Sequence, residues 1–177
     1  MDTAGLTRLY VLVFTGHGTR RLHVGGVTAH PAGDQTVQQA RNLAPGPGER
    51  FTGFRFLIRD RGPNFTRSFD AVFQAAGTTI VRTAVQAPRM NAICERLTGT
   101  LRRELLDRTL ILDQSHLRAD LAEYQEHYNT ARPHQGIGQR IPDPGPAPGI
   151  IPADLSTRQI RRKPVLSGLI GEYERAV

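Results

Sequence analysis

The chain has 177 residues and a net charge of +7, enough for one domain and too few for two full ones. With 38% hydrophobic residues and a mean hydropathy of −0.37 it can bury a core in water, while its longest apolar run, Leu9–Phe14, is far too short to span a bilayer. A single cysteine, Cys94, excludes an internal disulfide framework and a multi-cysteine zinc site.

Taken in order, Arg8–Phe14 is rich in β-branched and aromatic residues and predicts a strand, with Thr15-Gly-His-Gly18 as its turn. Arg21–Thr28 alternates well enough for a paired second strand. Asp34 is the expected N-cap of a helix running to about Leu43, which Ala44-Pro-Gly-Pro-Gly48 breaks. Phe54–Asp60 predicts the next strand, turned by Arg61-Gly-Pro-Asn64. Thr66 can cap a helix whose apolar positions Phe69, Val72, Phe73 and Ala76 follow helical spacing, with Gly77 at its end. Thr78–Val85 is another strand, closed by Pro88. Asn91 is expected to cap a long helix striped with Ile93, Leu97, Leu101 and Leu105. A last helix, Gln114 to Thr130, carries Leu117, Leu121, Tyr124 and Tyr128 on one face, and Arg132-Pro-His134 ends it. Beyond Gln139 a Pro- and Gly-rich stretch reads as an extended linker, 139–157, followed by a basic tail, 158–177, with the run Arg158–Lys163. The order of elements gives an α/β domain with mixed strand directions over residues 1–138.

Of the 23 basic residues 22 are arginine, the exception being Lys163. Guanidinium groups bind phosphate bidentately and stack on bases, so the composition favours a nucleic-acid partner, and an ordinary arginine-rich surface would read the same way. Asp60 ends an apolar strand, where ligands gather in open α/β sheets. There it serves either as a cation ligand or as the residue that stabilises its own turn. Glu95 falls in the first turn of the long helix, on the side away from the leucine stripe, with Arg102 two turns further along that side. The pair is either a metal-and-phosphate face or a solvated one with an acid at the helix's positive end. The six histidines lack metal-ligand spacing, Cys94 reads as a small apolar packing residue, and no phosphate loop or nucleophile elbow occurs.

The motifs Asp60-Arg-Gly-Pro-Asn-Phe65, Gln86-Ala-Pro-Arg-Met-Asn-Ala-Ile-Cys-Glu-Arg96, Gly99-Thr-Leu-Arg-Arg-Glu-Leu-Leu-Asp107 and Tyr128-Asn-Thr-Ala-Arg-Pro-His134 occur in this order, with 34 residues between Asp60 and Glu95. Over residues 2–138 the chain resembles the catalytic core of bacterial insertion-sequence transposases and retroviral-type integrases, and the tail resembles the C-terminal ends of the bacterial members. The resemblance implies an RNase H-like mixed sheet flanked by helices and an Asp–Asp–Glu triad, with Asp60 as second acid and Glu95 as third. The first acid belongs on the opening strand, and Asp2 occupies that place, with most of the strand before it cut to a stub.

The resemblance further implies a Mg²⁺- or Mn²⁺-dependent polynucleotidyl transferase acting on DNA, with two ions held by Asp2, Asp60 and Glu95. Such ions take hard oxygen ligands and need neither His nor Cys. Arg96 and Arg102 are then candidates to grip the DNA backbone, and Arg161, Arg162 and Lys163 to follow phosphates electrostatically. The implied partners are DNA ends and target and further copies of the chain, with neither membrane nor small-molecule substrate, in the cytoplasm and at the nucleoid. The alternative is a catalytically inactive truncated remnant that at most binds DNA or pairs with a full-length transposase. A third is an RNase H-like nuclease unrelated to mobility.

Overall fold

A computed structural model describes residues 1–43, 54–85, 87–145 and 160–175. The β-branched run at the start forms β1 (Tyr10–Thr15), which returns as β2 (Leu22–Thr28) in an antiparallel hairpin pairing Tyr10 with Thr28 and Thr15 with Leu22. The register slips between Leu12 and Val13, beside Gly25, where a Cβ would lie 2.9 Å from the Phe14 ring. A bulge at that place therefore takes the residue without a side chain. Helix α1 (Gly33–Leu43) follows, and Asp34 lies in its first turn rather than capping it.

The next unit is parallel. Strand β3 (Phe56–Arg59) leads through helix α2 (Arg67–Ala75) to β4 (Thr79–Arg82), and β3 pairs with β4. The Thr66 hydroxyl caps α2 by accepting the Phe69 amide at 3.3 Å, as its place in the sequence implied. Both strands are shorter than expected. Thr83 still donates its amide to the Arg59 carbonyl, but the chain then turns into a 3₁₀ segment, Pro88–Asn91.

Helix α3 (Ala92–Leu101) begins without a side-chain cap bond from Asn91, contrary to expectation, because the 3₁₀ turn before it already runs in helical sense. It continues into a π-helical turn, Arg102–Leu106. Helix α4 (Gln114–Thr130) is capped by Asp113, whose Oδ1 accepts the His116 amide at 2.8 Å. Its apolar face brings Leu117, Leu121, Tyr124 and Tyr128 onto Leu97, Leu101 and Leu105 and onto Leu9, Leu22 and Val27 of the hairpin, forming the main core. A smaller cluster holds Val37 and Ala40 of α1 against Phe69 and Phe73 of α2.

Polar residues of α4 cover the outer edge of β2. The Asn129 side-chain amide both accepts from the Leu22 N–H at 2.8 Å and donates to the Leu22 carbonyl at 2.9 Å. Gln125 Oε1 accepts the Val24 N–H, while Gln114 and Arg118 donate to the Val27 carbonyl. A helix thus satisfies backbone groups that another strand would otherwise pair.

Two expectations change. The mixed sheet appears as separate two-stranded ladders among the described residues, because no described strand bridges β1 and β3. Among the described residues, Arg8 and Leu9, just before β1, pair their backbone with Asp2 and Met1, through the Asp2–Arg8 bridge and the Met1–Leu9 bonds. The basic segment 160–175 is no plain tail. It forms an antiparallel hairpin, β5 (Ile160–Val165) and β6 (Ile170–Arg175), anchored on α4 by Val165 and Leu166 in the core and by the Leu166 amide on Glu123 Oε1. Of the linker 139–157 only the part up to 145 is described, and the break Ala44–Gly48 and Gln86 also lie outside the described residues.

Candidate functional site

Asp60 follows the last residue of β3 and points its carboxylate back along its own turn. Its Oδ1 accepts the Gly62 amide at 2.8 Å, the Asx-type turn that the sequence allowed. A Cβ on residue 62 would lie 2.9 Å from that oxygen, so glycine is what admits the contact. The main chain here is held from two sides: Arg59 Nη1 donates to the Asp60 carbonyl at 2.8 Å, and Arg61 Nε donates to the Thr83 carbonyl at 2.9 Å.

Behind the turn lies an ion pair that the sequence reading did not foresee. Arg59, only 7% exposed, binds Asp70 with both forks at 2.7 Å, and Arg82 adds a third contact to Asp70 at 3.2 Å. The Arg59 hydrogen bond keeps the Asp70 carboxyl below the ordinary range against the opposing effect of burial. The available signal was an acid next to Phe69 on the apolar side of α2 and an arginine inside an apolar strand. Each asks for a buried partner of opposite charge.

Glu95 sits in the first turn of α3 on its exposed side, as expected. Cys94, half-buried beside it, connects the two acids: burial, then the charges of Asp60 and Glu95, push its thiol pKa up. The charges of both carboxylates are felt at Cys94, although β3 and α3 are far apart in the chain.

Asp2 is engaged elsewhere. Arg8 Nε and Nη2 donate to its two carboxylate oxygens at 2.9 and 3.3 Å, and this bonding holds its carboxyl below the usual value. Among the described residues, no group of three or more His, Cys, Asp or Glu is arranged to hold a metal ion. Carboxylate oxygens are the ligand type that a divalent cation such as Mg²⁺ takes, but Asp2, Asp60 and Glu95 do not form such a group here.

The arginines are placed as follows. Arg96 and Arg102 are exposed on the α3 segment. Arg161, Arg162 and Lys163 are exposed on β5, opposite Glu174, Tyr173 and Glu172 of β6. Lys163 approaches Glu172 at 3.3 Å, and Glu172 also meets His127 Nδ1 at 2.7 Å. Part of this basic run is thus neutralised within the hairpin. The motif around Tyr128–His134 proves to be a locking cluster: Arg132 lies 5.6 Å from the centroid of the Tyr128 ring, and Tyr128 and His134 rings are 4.4 Å apart.

The scaffold is an α/β one, with an aspartate at the end of a strand and an exposed glutamate in the first turn of a helix. Residues 76–142 match the family model described as an integrase core domain. An insertion element IS407 protein of Burkholderia multivorans is 34% identical over 95 residues, covering 52% of this chain and 34% of the relative. An insertion element IS476 protein of Xanthomonas euvesicatoria is 36% identical over 94 residues, covering 52% and 27%. The chain thus aligns with about a third of the length of the curated relatives it matches. A chain in the cryo-EM structure of the simian T-cell lymphotropic virus intasome in complex with PP2A regulatory subunit B56 gamma shares the fold. The TM-score is 0.57 with 14% identity, over 98% of this chain and 62% of that one. Sequence and fold are both similar to those of insertion-element proteins and integrase cores.

Proposed function

We propose that the chain is the core of a divalent-metal-dependent polynucleotidyl transferase that cuts and joins DNA phosphodiesters during transposition. The observation that supports this is the similarity of residues 76–142, which include Glu95, to an integrase core domain, with Asp60 at the end of β3 and both acids near enough to Cys94 for their charges to be felt there. Asp60 and Glu95, joined by Asp2, would hold the ions; bound there, paired Mg²⁺ or Mn²⁺ stabilise the attacking and leaving oxygens of an in-line displacement. The protein's own part is positioning. The Gly62 amide fixes the Asp60 carboxylate, leaving Oδ2 available, while Arg59 fixes the main chain beneath it. Exposed Arg96 and Arg102 lie on the Glu95 segment and grip the DNA backbone, with Arg161, Arg162 and Lys163 as a second contact from the hairpin. DNA ends and target are the partners, and a multimer synapses them at the nucleoid.

A strand-transfer assay with Mg²⁺ and a DNA end tests the proposal. The wild-type chain joins DNA, and Asp60→Asn and Glu95→Gln reduce joining to background; unchanged joining by Glu95→Gln removes the mechanism. The Asp2–Arg8 pair favours a second reading, a catalytically inactive core that binds DNA through its arginines. That reading is met by DNA binding without joining, including in Arg8→Ala.

A further inference from the structure

Glu104 belongs to none of the roles above, yet its carboxylate accepts three side-chain hydrogen bonds from two residues far along the chain. It lies in the π-helical turn after α3, where Asp107 donates its amide to the Arg102 carbonyl, five residues back, at 2.9 Å. Arg132 reaches it from just beyond α4 with two donors, Nε at 3.0 Å and Nη2 at 2.6 Å. The hydroxyl of Tyr124, fully buried, donates to it at 2.7 Å. Burial opposes the charge on Glu104, but the Arg132 and Tyr124 bonds keep its carboxyl below the usual range.

Nothing else on this segment is comparably directional. Among the described residues, the side-chain hydrogen bonds that tie α3 and its π turn to another element all end on Glu104. The remaining contact is the leucine stripe, whose attraction is non-directional, and Asn91 supplies no cap bond at the other end. A helix turned by about 20° on such a stripe carries a surface carboxylate about 2 Å sideways. A misplacement of about 1 Å at a reacting centre costs about a hundredfold in rate. π turns interrupt helices at a cost in hydrogen-bond geometry and recur at functional sites. Here the wide turn brings Glu104 to α4 while Leu105 stays wholly buried.

We propose that Glu104, held by Arg132 and Tyr124, is a positioning residue that pins the rotation and register of α3 and thereby sets Glu95 opposite Asp60. Tyr124 donates from within α4 to Oε2 and Arg132 from just beyond its end to both oxygens, so the carboxylate is held by two separate side chains. Arg132 is itself secured by its amide on the His127 carbonyl and by its place over Tyr128. The consequence for Glu95 rests on the function proposed above; the pin does not.

Cys94, the chain's one thiol, is a native reporter of α3 beside the two acids. Alkylation of Cys94 by iodoacetamide is measured at one fixed pH on the full-length chain. Glu104→Gln is expected to raise the rate about three- to tenfold, as α3 moves and the thiol gains access. Tyr124→Phe, which deletes one hydroxyl, gives a smaller rise should Glu104→Gln fail to fold. Leu105→Ala removes core packing without touching the pin and leaves the rate at the wild-type value. In strand transfer, Glu104→Gln lowers kcat about a hundredfold with KM for DNA unchanged. An unchanged alkylation rate in Glu104→Gln, or an equal rise in Leu105→Ala, overturns the pin. A wild-type chain that joins no DNA overturns the proposed function, and the alkylation rates then still decide the pin.

Discussion

The unit that carries Asp60 and the unit that carries Asp2 are held together by different physics. Around Asp60, α1 and α2 form a small apolar cluster against β3 and β4, and the unit also rests on the buried Arg59–Asp70 pair and a glycine-dependent turn. Around Asp2, the β1–β2 hairpin lies on the large leucine and tyrosine core of α3 and α4, its outer edge bonded by α4 side chains. Asp2 itself gains nothing from that core. It is an exposed rung whose carboxylate is bound by one exposed arginine. The difference teaches that an acid is fixed by the directional bonds of its own turn, not by the size of the nearest apolar core.

The comparison breaks most severely at Arg59. Replacing it with Met leaves Asp70 buried with only the long Arg82 contact, and removing one member of such a pair costs about 3–5 kcal/mol. Urea unfolding reads the loss as a lower midpoint, and a midpoint equal to wild type would show that the small unit does not depend on the pair. Asn129→Ala removes two bonds to Leu22 and leaves its backbone unpaired, for about 2 kcal/mol in the same measurement. Thr66→Ala takes the cap from α2 and costs about 1 kcal/mol. Arg8→Ala is expected to leave the unfolding midpoint unchanged, since exposed ion pairs contribute little, while freeing the Asp2 carboxylate.

Acid sharpens the same contrast. Asp70 and Glu104 have carboxyl pKa values lowered in the folded chain, so their contribution is complete above the ordinary values of 3.8 and 4.5 and is lost as pH falls below them through the lowered ones. His134 acts at a higher pH. Burial lowers its pKa from 6.5, so the unfolded chain takes up the proton first and stability declines as pH falls below that value. His134→Gln should flatten the pH dependence of the midpoint just below 6.5 and leave the loss below pH 4.5 intact.

Local grammar was the legible part of the sequence. The β-branched run at β1, the helical spacing of Phe69, Val72 and Phe73, the Thr66 cap and the Asx turn at Asp60 each depend on neighbours within a few residues. What was hidden depends on partners far along the chain. Asn129 reads as a helix-end polar residue until Leu22, 107 positions away, is beside it. The π turn leaves no mark, because Leu101 and Leu105 keep the same spacing in either helix type. The C-terminal hairpin was masked by β5, Ile-Arg-Arg-Lys-Pro-Val, which is exposed along all but its last residue and shows neither apolar alternation nor a standard turn. Its turn instead places Leu166, Ser167 and Gly168 at positive φ. For the candidate site, motif and spacing singled out Asp60 and Glu95 as candidates, while the Arg59 bond to the Asp60 carbonyl left no mark in the sequence.

The central claim is that Asp60 and Glu95 share one divalent-cation site. Titrating Mn²⁺ into the full chain and into Asp60→Asn, Glu95→Gln and the double variant, with free Mn²⁺ read by electron paramagnetic resonance, tests this directly. Each single change should abolish the tight site, and the double should bind no more weakly than either. Binding at wild-type strength in both single variants would contradict a shared site.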